Sequence, residues 1–226
     1  MIKDKQKCNY LKRIASFDVD PQKGFTPLCP DELPIPEGNL IVDALNENAK
    51  LAKYRIVSRD IHPEKAMWNA EKPENMLEKV GLPNVDVKWN PHCRMNTVGA
   101  ELLDGLPHPI IGYDFSIAKG MDGDCHPYGA CYHDLENKRT TGVIEYLKME
   151  GVEFIIVGGL ATEFCVYQTV KQLASAGFYV LVNKEAVRGL DGAKNALREM
   201  NDCIDRVQVF ADSIEIKDYL KGCTCL

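Results

Sequence analysis

A chain of 226 residues, 45% of them hydrophobic, with a net charge of −6 is long enough for one sizeable core and too acidic for nucleic acid or an anionic membrane to be its main partner. No apolar run approaches the roughly 20 residues that span a bilayer, and the basic, polar start MIKDKQKCNYLKR has no apolar stretch of a secretory signal, so the reading is a cytoplasmic protein. The nine cysteines include no C-x-x-C pair, which argues against a zinc ribbon or a thioredoxin-type site, and a reducing compartment keeps them as thiols.

In chain order, residues 1–12 read as a short N-terminal extension to a single domain spanning 1–226. IASFDV (14–19) is apolar apart from its acid and reads as a buried strand. The Pro- and Gly-rich stretch from Pro21 to Gly38 is loop. NLIVDALNENAKLA carries Leu40, Ile41, Ala44 and Leu45 at helical spacing, and YRIVSRD, ending at Asp60, is a second strand. Residues 61–107 are irregular and rich in proline, and so long a loop inside a domain is usually functional. HPIIGYDF reads as a third strand, TTGVIEYLKMEG as a helix, VEFIIVGG as a fourth strand and ATEFCVYQTVKQLASAG as a helix closed by Gly177. FYVLVNKEA, the helical DGAKNALREMND and the strand RVQVF follow. The tail after about 205 carries no motif. Its last four residues, Cys223-Thr224-Cys225-Leu226, match a prenylation box in form only, without a basic flank. Strands alternating with helices predict a three-layer α/β/α fold, a roughly six-stranded, mostly parallel sheet with helices on both faces.

In such sheets ligands bind beyond the carboxyl ends of the strands. Asp18 and Asp20 lie at the end of the first strand, Asp60 ends the second, and Asp114 ends the third with Lys119 shortly after. Cys165 comes just past the fourth. With Thr162 as N-cap, Cys165 falls in the first helical turn, where free N–H groups favour a thiolate or an oxyanion. A thiol nucleophile needs a base, and no histidine sits at a strand end, whereas carboxylates do. The plain alternative is a cysteine packed beneath the helix. Asp60 and His62, two apart in an extended segment, point the same way, and His92 at the end of the long loop can close a two-histidine, one-carboxylate set suited to zinc, iron or manganese. His108, His126 and His133 show no comparable pattern. A redox- or metal-sensing thiol protein without hydrolase activity is the alternative from another class.

Together these residues resemble the nicotinamidase branch of the isochorismatase-like cysteine hydrolases. The segments concerned are DPQKGF (20–25), RDIHP (59–63), WNPHC (89–93), NTVGAEL (96–102), AKG (118–120) and GLATEFCV (159–166). The resemblance implies the isochorismatase-like hydrolase fold and hydrolysis of nicotinamide to nicotinate and ammonia, or of another small amide. It implies Cys165 as nucleophile, Asp20 as general base and acid, Lys119 supporting both, and an oxyanion hole of the Ala161 and Cys165 amides after a cis Leu160–Ala161 bond. It implies one divalent ion, zinc with iron or manganese as alternatives, held by Asp60, His62 and His92 against the pyridine nitrogen. Glu64 or Glu71 is expected as fourth ligand, and Phe25 and Trp89 around the ring. It leaves room for a homo-oligomer. The sequence departs from the family pattern at Lys23-Gly24 and in MDGDCHPYGAC after the lysine, which leaves substrate breadth open.

Overall fold

Strands buried at every position need cover on both faces, and two strands of this chain are of that kind. Strand β1 (Ile14–Val19) and strand β6 (Phe154–Gly159) are buried throughout and pair with each other in parallel at the middle of the sheet. The computed structural model of the chain describes residues 13–223. The extension read at 1–12 and the last three residues of the terminal box lie outside the described residues.

In chain order the elements are β1, α1 (Val42–Lys50), β2 (Tyr54–Asp60), a small hairpin of β3 (Lys79–Leu82) and β4 (Val85–Val87), β5 (Phe115–Lys119) and α2 (Val143–Met149). After β6 come α3 (Tyr167–Ser175), β7 (Tyr179–Val187), α4 (Lys194–Cys203), β8 (Val207–Phe210) and α5 (Ser213–Cys223). The main sheet has six strands in the order β5-β2-β1-β6-β7-β8, every pairing parallel. Helices α1 and α5 contact each other, as do α3 and α4. On one face Ile14, Ile156 and Leu181 pack under Ile216 and Leu220 of α5. On the other, Ala15, Phe17, Ile155 and Val157 join the main core with Val170 and Leu173 of α3. This is the predicted three-layer architecture.

Strand order reverses at β1 and β6, so the crevice beyond their carboxyl ends is the topological switch point where such folds bind ligands. Gly159 makes the sharp exit from β6. Its φ is +138°, and a Cβ there would collide with the Val19 carbonyl oxygen, so any side chain would force β6 away from β1.

Two expectations fail. The third strand is not HPIIGYDF. Ile110 and Ile111 are 75% and 85% exposed in a turn where the Gly112 N–H donates to the His108 carbonyl at 2.8 Å, and the strand begins at Phe115. Asp114 therefore stands at the start of β5, its carboxylate accepting the Arg55 N–H at 2.7 Å, and Lys119 itself ends the strand. The strand expected at RVQVF is β8, and the chain after it, to which no element was assigned, forms helix α5, while the long loop contributes the β3–β4 hairpin.

Candidate active site

The chain leaves β1 at Asp20 with φ +46°, its N–H donating to the Ser58 carbonyl on β2 at 3.1 Å. The Ser58 hydroxyl donates to the Asp20 carboxylate at 2.6 Å. Asp18, by contrast, faces Arg55 at 2.8 Å and the Tyr113 hydroxyl at 3.0 Å, so the two aspartates have separate surroundings. Lys119, fully buried, lies between two acids: its ammonium is 2.9 Å from Asp20 and 2.5 Å from Asp60. It also lies 3.8 Å from the Cys165 sulfur. Ligand atoms of Asp20, Asp60 and Cys165 lie within 4.8 Å of one another, all buried. The structure thus brings together Cys165, Asp20 and Lys119, the three residues picked out by sequence.

Cys165 sits in a single π-helical turn, Thr162–Val166, that precedes α3. The expected Thr162 N-cap is absent. Ala161 holds that position without a side-chain cap, the Thr162 N–H donates to the Arg188 carbonyl at 2.9 Å, and the Thr162 hydroxyl has no hydrogen-bond partner. The Leu160–Ala161 bond is cis. The amides of Ala161 and Cys165 belong to a first turn, where N–H groups lack intrahelical partners.

Burial sets the protonation states. It pushes the Cys165 thiol well above its ordinary range, with Lys119 opposing, so the thiol is neutral at rest rather than acidified by the helix end as the sequence suggested. Burial also raises Asp20, again against the Lys119 charge. Burial works against the Asp60 carboxylate too, but Lys119 and His62 hold it well below the usual range. Lys119 is desolvated, yet Asp20 and Asp60 keep it protonated. The resting site is a thiol beside a carboxylate whose proton affinity is raised, with an ammonium between the acids.

Gln22 locks the second acid in place. Its amide nitrogen donates to the Asp60 carbonyl at 2.7 Å and its amide oxygen accepts the Asp60 N–H at 2.7 Å. Beside Asp60 stand three buried histidines, His62, His92 and His126, with ring nitrogens within 4.8 Å of one another. His62 Nδ1 is 2.9 Å from the Gly120 carbonyl and His92 Nδ1 is 2.6 Å from the Asn90 carbonyl. Donation from each Nδ1–H leaves each Nε2 with a lone pair to offer. His62 Nε2 faces the Asp60 carboxylate at 3.5 Å without a full hydrogen bond, and neither His126 nitrogen has a hydrogen-bond partner, although buried polar atoms ordinarily have one. Burial depresses His92 to about 3 and His126 well below its ordinary value, so both rings are neutral, the form that ligates. Gly120 has φ +71°, and a Cβ there would strike the His62 ring, so a glycine is required for its carbonyl to orient that histidine.

These donors fit a divalent ion: one carboxylate and three imidazoles, with orphaned nitrogens converging. Sequence reasoning missed the third histidine. Glu64 and Glu71, the expected fourth ligands, are exposed and outside the cluster. The available signal was a histidine seven residues after Lys119, in MDGDCHPYGAC.

A narrow pocket joins the two halves, lined by Asp60, His92 and His126 and by Ala161 and Cys165. Phe25 and Trp89, both 2% exposed, line it together with Leu33, Tyr128, Phe164 and Leu190. The Phe25 ring lies 5.1 Å from His92 and the Trp89 ring 4.8 Å from Phe164. The Trp89 indole N–H donates to the Tyr128 hydroxyl at 3.1 Å, which donates in turn to Asp86 at 2.7 Å.

A family model of the isochorismatase domain matches residues 18–215. The chain is similar to the nicotinamidase of Escherichia coli, 30% identical over 70% of this chain and 76% of that one. It is similar in structure to a nicotinamidase and pyrazinamidase of Acinetobacter baumanii, with a TM-score of 0.79 at 28% identity, covering 91% of this chain and 98% of the other. A pyrazinamidase of Pyrococcus horikoshii in complex with zinc superposes with a TM-score of 0.68 at 28% identity, covering 88% and 98%.

Proposed function

The chain belongs to the isochorismatase family, and from that membership and its site we propose that it hydrolyses nicotinamide to nicotinate and ammonia. The observation that carries this reading is one aromatic-lined pocket with Cys165, backed by Lys119 and Asp20, at one wall and Asp60, His92 and His126, with His62 beside them, at the other. A ring with a heteroatom at one end and a carboxamide at the other spans such a site. The relatives' activity supports the amide bond as the one cleaved. The enzyme is an amidohydrolase acting on a carbon–nitrogen bond, and we place it in the cytoplasm, in NAD salvage, as one isochorismatase-like domain.

Asp60, His62, His92 and His126 would hold the divalent ion, zinc on this nitrogen-rich donor set, with iron or manganese as alternatives. When bound it supplies a Lewis acid that engages the pyridine nitrogen. The chain's own residues do the rest. Asp20 takes the Cys165 proton, and the thiolate attacks the carboxamide carbon, forming the carbon–sulfur bond. The amides of Ala161 and Cys165 receive the developing oxyanion. Asp20 returns the proton to the amide nitrogen, the carbon–nitrogen bond breaks and ammonia leaves. Asp20 then takes a proton from water as it attacks the thioester, and the carbon–sulfur bond breaks to give nicotinate and the thiol. Lys119 keeps Asp20 anionic despite its burial and stabilises the transient thiolate. Phe25, Trp89 and Tyr128 exclude water and align the ring.

Ammonia release from nicotinamide and from benzamide, which lacks the ring nitrogen, tests this reading. The metal-loaded protein is expected to turn over nicotinamide and leave benzamide essentially untouched. Changing His62, His92 or His126 to Ala is expected to lower bound metal and raise KM for nicotinamide by about 10- to 100-fold, whereas Glu64→Ala and Glu71→Ala leave both unchanged. Hydrolysis of nicotinamide by chelated protein at the rate of the loaded form would overturn the metal assignment.

A further inference from the structure

We propose that Glu32 is a positioning residue for the metal site, holding the His92 segment in its ligating conformation. This rests on the reading of Asp60, His62, His92 and His126 as the metal donors. Glu32 lies in the Pro-rich loop after β1, remote in sequence from every one of them.

The Glu32 carboxylate accepts the Cys93 backbone N–H at 2.8 Å. Cys93 adjoins His92, is fully buried and has φ +45°, a conformation that a non-glycine residue keeps only where its surroundings hold it. The same residue ties the two histidine segments together. Its carbonyl accepts the His62 N–H at 3.0 Å, and the His62 carbonyl accepts the Met95 N–H at 2.8 Å. A single acceptor thus supports the peptide through which His92 and His62 are held in register.

The chain makes room for this carboxylate. A Cβ at Gly24 or at Gly99 would collide with the Glu32 carboxylate, and one at Gly24 would also lie 2.9 Å from the Cys93 sulfur. The next residue, Leu33, donates its N–H to the Gly24 carbonyl at 3.1 Å and lines the ring cavity. The loop thereby couples one wall of that cavity to the metal-binding segment. Without the acceptor, the buried Cys93 N–H has no partner and the left-handed backbone beside His92 loses its support.

Cobalt(II) affinity, measured by chelator competition, and the visible spectrum of the cobalt form test this without substrate. Groups that orient metal ligands typically contribute 10- to 100-fold in affinity, so Glu32→Ala is expected to weaken cobalt binding by about that factor and alter the spectrum, while Glu32→Gln, which keeps a carbonyl acceptor, stays within about threefold of wild type. Gly99→Ala, which leaves Glu32 in the sequence but displaces its carboxylate, is expected to weaken cobalt binding as well, and it decides the matter if Glu32→Ala fails to fold. Cobalt affinity unchanged in Glu32→Ala or Gly99→Ala, or lowered as far in Glu32→Gln as in Glu32→Ala, would overturn the proposal. A wild-type protein that binds no cobalt would instead overturn the metal reading beneath it.

Discussion

Cys165→Ala is expected to abolish amide hydrolysis, lowering kcat by at least about 10⁴-fold, as loss of a covalent nucleophile does elsewhere, while the protein stays folded and keeps its metal. The thiol is 5% exposed, and removing one sulfur from such a site costs about 1 kcal/mol of stability, small beside the loss of chemistry. Cys165→Ser is expected to be nearly as inactive. Burial already pushes the thiol up, and a hydroxyl in the same place is far harder to deprotonate with a carboxylate. Ammonia release, circular dichroism and metal content measured on the same samples check all three expectations.

Asp20→Asn is expected to lower kcat by about 10²- to 10⁴-fold, the usual worth of general acid–base catalysis, or roughly 3–5 kcal/mol of barrier. The amide fits the same space and can still accept from the Ser58 hydroxyl, which donates to Asp20 at 2.6 Å. It cannot take the thiol proton or deliver one to departing ammonia. Metal content and KM are expected to change little, because Asp20 is separated from the histidine set by Lys119 and Asp60. Asp18→Asn is the control. Asp18 is fully buried one residue from the end of β1 but faces Arg55 and Tyr113, so its variant is expected to keep kcat within about threefold. An active Asp20→Asn beside a folded, inactive Asp18→Asn would mean that the wrong carboxylate had been chosen.

Residues whose role follows from strand periodicity were legible in the sequence. β1, β2 and β6 are apolar runs that end in an acid or in glycines, and the rule that parallel strands present their carboxyl ends to the ligand gathered Asp20, Asp60, Lys119 and Cys165 before any coordinates. The third strand was misplaced because Ile110-Ile111 looks buried by composition. The prolines at 107 and 109 and the tight turn at Gly112 keep that pair in solvent, and the less hydrophobic FSIAK forms the strand, paired in parallel with β2 from Ile56–Phe115 to Asp60–Lys119. Helix α5 was missed because only Ile216 and Leu220 mark its buried face, while Ile214 is 67% exposed, so the pattern over SIEIK resembles alternation as much as a helix. The Thr162 cap failed because a π turn, not an ordinary first turn, follows the cis bond.

His126 was invisible for a different reason. It lies in irregular chain, where no periodicity predicts direction, and only the folded path from Lys119 brings its ring within 5.2 Å of the His62 ring. Glu32 shares that property. Loop residues act through long-range contacts that no local pattern encodes, which is why Asp60, His62 and His92 could be singled out early and His126 and Glu32 could not.

Interception of the acyl-enzyme by hydroxylamine tests the central claim, hydrolysis of nicotinamide through a Cys165 thioester, most directly. With metal-loaded wild-type protein and nicotinamide, the account predicts that nicotinohydroxamate appears alongside nicotinate. Its share should rise with hydroxylamine concentration, ammonia release should equal the sum of the two products, and all of it should disappear in Cys165→Ala. Ammonia and nicotinate formed in equal amounts with no hydroxamate at any hydroxylamine concentration would indicate direct attack by water, and undiminished turnover by Cys165→Ala would remove the nucleophile altogether.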